Sequence, residues 1–156
     1  MDKVLERLLE KLGEKGIKEW QKLEKEKREK EYNYFFFDRR MGQLLGDLNV
    51  RMGKEVFVQL VNLLCDTFEV ERCEVYFIDA EVGDDGRSAC CGYSMEVYRQ
   101  GMQMRVLCHE LAHWFADPGF KNRDEGHGDK WRACYSSIVH TLRHNFKYKD
   151  GYLVQI

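Results

Sequence analysis

Two histidines four residues apart, His109 and His113, lie in the segment HELAH at residues 109–113. On an α-helix, side chains four residues apart project from the same face, so both imidazoles could bind one Zn²⁺ ion. Glu110 follows the first histidine and would lie beside the metal, where a carboxylate can take a proton from a zinc-bound water. The spacing therefore predicts a catalytic zinc site with Glu110 as the general base.

A third zinc ligand must come from another part of the fold, and His127 is the favoured candidate. It lies between two glycines, which let the backbone approach a metal closely. A helical pattern begins directly after it, so this histidine would be held at the entry to a packed helix. Asp124 and Glu125 are alternative ligands, and Asp117 could instead orient one of the imidazoles.

The segment HELAH, followed after a short loop by GHGDKW at residues 126–131, resembles the SprT-like zinc metallopeptidases, which include the Spartan-type DNA–protein crosslink proteases. The upstream segment ACCGYS at residues 89–94 is similar to the strand that precedes the active-site helix in that family. The resemblance spans about residues 72–146 and implies a zincin-like fold and peptidase activity. It also implies three zinc-binding histidines and one catalytic base, namely His109, His113, His127 and Glu110.

The leading functional interpretation is a zinc metallopeptidase that hydrolyses peptide bonds, and two alternatives stay open. One is a zinc hydrolase of a non-peptide or formyl-amide substrate. In a peptide deformylase an upstream cysteine binds the metal, so Cys90 or Cys91 would replace His127. The other is a non-catalytic interaction module, which would hold a structural zinc with four protein ligands and would not need Glu110. The donor that stabilises the oxyanion is left open among Tyr93, Tyr135 and His140.

The helices that would position these residues can be placed along the chain. Residues 102–116 predict the active-site helix, which ends at the turn formed by residues 117–119, Asp-Pro-Gly. Residues 54–68 and residues 131–146 have apolar side chains at three- and four-residue steps. The later of these two segments predicts a C-terminal supporting helix.

Two segments between these helices have the composition of strands. Residues 73–79 and residues 89–98 are rich in strand-forming side chains, and a Gly-Asp-Asp-Gly turn at residues 83–86 separates them. They predict a small antiparallel sheet, and with the helices an α+β, zincin-like fold. We expect the strand at residues 90–98 to form an edge beside the cleft, where an extended peptide could pair with its backbone.

Residues 1–31 predict a charged N-terminal helical extension, and residues 32–156 predict the zincin-like metallopeptidase domain. The extension contains ten basic and nine acidic residues, with apolar helical spacing over residues 2–12 and 17–31. Mixed charge at this density is typical of a solvated helix face. The aromatic residues at 32–37 predict core or strand packing.

The composition indicates a globular protein of the cell interior. Of its 156 residues 44% are hydrophobic, which excludes disorder of the whole chain. A net charge of −2 argues against a generally basic nucleic-acid surface, so the expected partner is a protein or peptide substrate, with DNA association unassigned. The N-terminus is charged, no segment is apolar enough to span a membrane, and the six cysteines lack paired metal spacing. These features predict a cytoplasmic protein with reduced thiols.

Overall fold

The structure, a computed structural model, describes residues 3–123 and 126–156, and the chain divides into two compact units, Met1–Phe36 and Phe37–Ile156. Helix α1 spans Lys3–Leu45, with non-helical backbone at Gly13 (φ 70°). The kink directly follows residues 2–12, so the two helical segments predicted from the sequence lie on either side of it within α1. The aromatic run at residues 32–37 is helical too, so its alternative assignment to a strand is wrong; local helix formation overrides the weak strand preference of aromatic residues.

The three-stranded sheet differs from the predicted antiparallel one. It consists of β1 (Val75–Ile78), β2 (Ala89–Cys91) and β3 (Met95–Tyr98), in the order β1-β3-β2. The segment expected to be one strand reverses at residues 92–94, where the Gly92 N–H bonds to the Ser94 carbonyl, and becomes the antiparallel pair of β2 and β3.

The expectation of an entirely antiparallel sheet is wrong, because β1 runs parallel to β3. The chain reverses direction between β1 and β2 and again between β2 and β3, and two reversals restore the original direction. The central strand β3 buries Met95 and Val97 and exposes Glu96, the alternation expected of a strand with one covered face. The edge strands are therefore β1 and β2. Residues 90–91 of the expected edge lie on the edge strand β2, whereas residues 95–98 lie at the centre of the sheet.

Three further helices complete the α+β fold: α2 (Lys54–Thr67), α3 (Met104–Ala116) and α4 (Asp129–Asn145). The predicted helices at residues 54–68, 102–116 and 131–146 are confirmed to within two residues at each end. Helices α3 and α4 pack against each other, and β2 packs on α3. The helices bury residues at three- and four-residue steps: Phe57, Leu60, Val61 and Leu64 on α2, Leu107 and Leu111 on α3, and Trp131, Tyr135, Ile138 and Leu142 on α4.

A C-terminal hairpin that the sequence patterns did not predict follows α4. Strand β4 (Phe146–Lys149) pairs with β5 (Tyr152–Gln155) in an antiparallel register. Its turn contains Asp150 and Gly151, both with positive φ, as a tight hairpin turn requires. Within residues 3–123 and 126–156, no helix is both long enough and apolar enough to cross a bilayer.

Candidate metal centre

The structure brings together the three histidines that the sequence predicts as ligands. One ligand atom from each of His109, His113 and His127 lies within 4.8 Å of the other two. The Nε2 atoms of His113 and His127 are 3.2 Å apart. Two nitrogens bound to a tetrahedral ion at the zinc–nitrogen bond length would lie roughly 3.3 Å apart. The cluster can therefore hold a metal ion, and the distance between His113 and His127 matches the one expected for two nitrogens on a tetrahedral zinc.

Helices α3 and α4 position the three rings. His109 and His113 lie one turn apart on α3, with ring centroids 5.2 Å apart. His127 comes from the segment before α4, and its centroid is 4.7 Å from that of His113. The indole of Trp131, in the first turn of α4, packs against all three imidazoles at centroid distances of 5.0, 5.5 and 4.7 Å. Its Nε1 also donates to the His109 carbonyl at 3.1 Å, which ties α4 to α3 beside the cluster.

The environment keeps two of these imidazoles neutral. Burial, together with the charges of the neighbouring His109 and His127, lowers the pKa of His113 to about 3. Burial and, to a smaller extent, the charge of His109 lower the pKa of His127 to about 4. A neutral imidazole has the lone pair that a metal requires, whereas a protonated one does not. Near pH 7 both rings are therefore in the state that can bind a metal ion.

Glu110 is a buried carboxylate beside the histidine cluster. Its side chain is almost completely buried, and Oε1 lies 3.7 Å from Nε2 of His109. Burial raises the pKa of Glu110, although the charge of His109 opposes this effect. A carboxylate with a raised pKa accepts a proton more readily than an exposed one. Glu110 therefore has the position and the basicity expected of a proton acceptor.

A second buried carboxylate, Asp38, contacts the cluster from α1. Its Oδ1 lies 3.3 Å from Nδ1 of His109 and accepts a hydrogen bond from the Tyr135 hydroxyl at 2.6 Å. Its Oδ2 forms an ion pair with Arg105. Burial alone would raise the pKa of Asp38, but the contacts with His109, Tyr135 and Arg105 outweigh it and lower the pKa. Asp38 is thus an ionised carboxylate in contact with a predicted metal ligand.

Sequence reasoning missed Asp38, although a signal for its burial exists. It lies three residues before Met41 and seven before Leu45, and both of these side chains are buried on α1. A carboxylate in line with apolar residues at helical spacing predicts a buried acid that needs partners. No local pattern could show that the partner is His109, which lies 71 residues further along the chain.

Of the three acidic residues considered near the metal site, the structure describes only Asp117. Asp117 is buried directly after α3, where its Oδ1 accepts the backbone N–H of Asn122 at 3.0 Å. Within the part of the chain that the structure describes, it does not belong to a group that could hold a metal. Asp124 and Glu125 lie outside the described residues.

The cysteines required by a deformylase-like site do not join the cluster. Within residues 3–123 and 126–156, the histidines form the only group of three or more potential ligands. Cys90 lies with its Sγ 3.7 Å from a carboxylate oxygen of Glu96 on the neighbouring strand. Cys91 is also on β2, and its thiol pKa is raised by hydrogen bonding to Cys73 and by burial. These contacts place both thiols in the packing of the sheet.

The three residues considered for oxyanion stabilisation are dispersed. Tyr135 is fully buried and donates its hydroxyl to Asp38. Tyr93 is 71% exposed and packs edge-on against Phe120. His140 lies on the exposed side of α4. Tyr135 packs against His109, with ring centroids 6.1 Å apart, but its hydroxyl bonds to the carboxylate that faces Nδ1 of His109.

No protein-family model, curated protein or solved structure matches this chain.

Proposed function

We propose that the protein is a zinc-dependent metallopeptidase of the SprT-like, zincin type. The observation that carries this proposal is the convergence of three histidine ligand atoms within 4.8 Å beside the buried carboxylate of Glu110. Three protein ligands are characteristic of catalytic zinc sites, which keep one position for water or substrate, whereas structural sites use four. A buried glutamate next to the ligands suits hydrolysis and has no purpose in a structural site.

The metal would be held by His109, His113 and His127, and when bound it would acidify a water molecule and polarise the substrate carbonyl. Glu110 would accept the proton of the attacking water and then deliver it to the leaving amine. The raised pKa of Glu110 favours both proton uptake from water and proton delivery to the amine, because the protonated carboxyl group can hold its proton until the amine leaves. Trp131 covers the three imidazoles and excludes bulk water from that side.

The substrate class is argued from the edge of the sheet. Strand β2 is an edge strand that packs against α3, the helix of the predicted base and two predicted ligands. Burial raises the pKa of Cys90 on β2, and the nearby carboxylates of Glu96 and Glu110 raise it further. An extended peptide that paired with the open side of β2 would lie along the strand that packs on the helix of Glu110. Backbone pairing of this kind recognises peptides with little dependence on their side chains.

The setting that suits this function is the reducing interior of a cell. All six cysteines are free thiols in the structure. Oxidation of thiols on β2 would alter the strand that we propose to receive the substrate. DNA association stays unassigned, since the net charge of −2 gives no generally basic surface and the resemblance is not extended to a role in DNA repair.

The proposal is tested by zinc content and peptide hydrolysis measured on the same preparations. We expect about one zinc per chain by elemental mass spectrometry, and hydrolysis of a fluorescently labelled unfolded protein that a chelator abolishes and zinc restores. His127→Ala should lose both properties. His140→Ala is the matched control, because it removes an exposed histidine from α4, and it should retain both. Zinc that stays bound without His127, or hydrolysis that resists the chelator, would contradict the proposal.

A further inference from the structure

We infer that Asp38 is a positioning residue that holds His109 with its proton on Nδ1, so that Nε2 presents its lone pair to the metal. The inference rests on the proposed metal site and adds to it a residue on α1. The contact that carries it joins Oδ1 of Asp38 and Nδ1 of His109 at 3.3 Å. An imidazole that donates from Nδ1 has its lone pair on Nε2, because a neutral ring carries one proton.

The partners of Asp38 fix the direction of this hydrogen bond. The guanidinium of Arg105 pairs with Oδ2, and a guanidinium can only donate hydrogen bonds. An ionised carboxylate can only accept hydrogen bonds. The Tyr135 hydroxyl and Nδ1 of His109 must therefore both donate to Oδ1. A neutral amide in the same place would not impose that direction.

The geometry of three helices holds the carboxylate in place. Arg105 and His109 lie four residues apart on one face of α3, so that a single carboxylate on α1 can reach both. Tyr135 approaches from α4 and is fully buried. Gly42, one turn after Asp38 on α1, leaves room for Arg105: a Cβ there would come within 2.9 Å of the Arg105 Cδ atom. The site is built so that the Arg105 side chain can lie along α1.

This arrangement would fix the tautomer of His109 in the metal-free protein, so that Nε2 is already unprotonated when a metal binds. A histidine that can carry its proton on either nitrogen must lose the proton from Nε2 before this atom can bind a metal. Carboxylates that accept from the second nitrogen of a ligand histidine orient the ring and raise its basicity, and their loss commonly costs 10- to 100-fold in metal affinity. Asp38 would therefore contribute to metal affinity without touching the metal.

The first measurement is the tautomer of His109 in metal-free protein, by NMR of ¹⁵N-labelled histidine at pH 8. His109→Gln identifies the signal by its loss. We expect the Nδ1–H form in the wild type and the Nε2–H form, or a mixture, in Asp38→Asn, because the amide NH₂ turns away from Arg105 and faces Nδ1. Tyr135→Phe keeps the carboxylate and removes only one donor, so it should retain the Nδ1–H form.

The second measurement is zinc affinity by competition with a chelating dye, which we expect to fall about 10- to 100-fold in Asp38→Asn and much less in Tyr135→Phe. A general structural role would instead weaken both variants alike. An Nε2–H tautomer in the metal-free wild type would overturn the inference even if Asp38→Asn failed to fold, and so would wild-type zinc affinity in Asp38→Asn. A wild-type protein that bound no zinc would instead contradict the proposed function, while the tautomer could still be read.

Discussion

Two pairs of histidines with the same spacing lie in different surroundings in this protein. His109 and His113 on α3 and His140 and His144 on α4 are each four residues apart, with ring centroids at 5.2 Å and 4.1 Å. The α3 pair is largely buried and meets His127. The α4 pair is exposed, and within the described residues no third ligand completes a metal group around it. Two rings on one helix face are therefore not enough for a site.

The difference between the pairs follows from what each helix face packs against. Helix α4 turns Trp131, Tyr135 and Ile138 towards the core, and this leaves His140 and His144 on the solvent side. The same inward face of α4 covers the α3 pair. The ring of one exposed histidine turns back on its own helix, with Nδ1 of His144 3.0 Å from the His140 carbonyl. Burial between elements, rather than spacing along one element, turns a histidine pair into a candidate site.

The largest expected effect is a loss of peptide hydrolysis, and it concerns the residue that follows the first histidine of each pair. The α3 segment reads HELAH and the α4 segment, at residues 140–144, reads HTLRH, so Thr141 corresponds to Glu110. We expect Glu110→Gln to reduce peptide hydrolysis about 10²- to 10⁴-fold, since it removes the proposed general base, while zinc content is unchanged. Hydrolysis is measured as initial rates at saturating zinc. Undiminished turnover in this variant would exclude Glu110 as the base.

Thr141→Glu sharpens this test, because it completes the sequence HELRH on α4. In the Glu110→Gln background we expect it to restore no hydrolysis, since the α4 pair is exposed and, among the residues that the structure describes, no third ligand joins it. Restored activity would mean that the motif alone is sufficient, and the argument from burial would be wrong.

A smaller effect is expected on metal-linked stability. A metal that binds only the folded protein stabilises it by about 2.7 kcal/mol at a concentration 100 times its Kd. We expect the midpoint of thermal unfolding to rise on zinc addition in the wild type and in His144→Ala, and to stay unchanged in His113→Ala. Each protein is compared with its own chelator-treated form, so the packing lost with the His113 ring cancels. If zinc failed to raise the unfolding midpoint of His144→Ala as well as that of His113→Ala, the claim that only the α3 pair binds the metal would be wrong.

The same contrast explains how much of the molecule could be predicted from the sequence. His109, Glu110 and His113 could be recognised because their chemistry depends on spacing within one helix, and His127 because glycines and a following helix surround it. The limits of α2 and α4 followed from apolar periodicity, and the end of α3 followed from the Asp-Pro-Gly turn at residues 117–119. These are local signals, and they account for the helices and for the predicted ligand set.

Long-range pairing could not be predicted in this way. The parallel register of Val75 with Met95 depends on two chain reversals, and a strand pattern does not show the direction of its partner. Asp38 contacts His109 across 71 residues because α1 packs on α3 at Gly42. Neither segment contains a sequence motif that indicates contact with the other. The contact through which Asp38 would fix the tautomer of His109 could therefore be recognised only in the structure.

The smallest expected effect is on the stability of the metal-free protein at acid pH. Histidine in an unfolded chain takes up a proton near pH 6.5, whereas the folded protein holds the pKa of His113 at about 3 and that of His127 at about 4. Between about pH 6.5 and 4 the unfolded form therefore binds more protons, and the free energy of unfolding falls as the pH is lowered. The slope cannot exceed about 1.36 kcal/mol per pH unit for each histidine, and solvent screening reduces the share of the half-buried His127.

Chemical denaturation of chelator-treated protein at a series of pH values would measure this slope. We expect His127→Gln to flatten it, and His144→Gln, which replaces an exposed ring, to leave it as in the wild type. Glu110 acts with the opposite sign, because burial raises its pKa, but it is present in all three proteins and largely cancels in the comparison. A slope that His144→Gln flattened as much as His127→Gln would show that the buried and the exposed histidines do not differ in the way their surroundings imply.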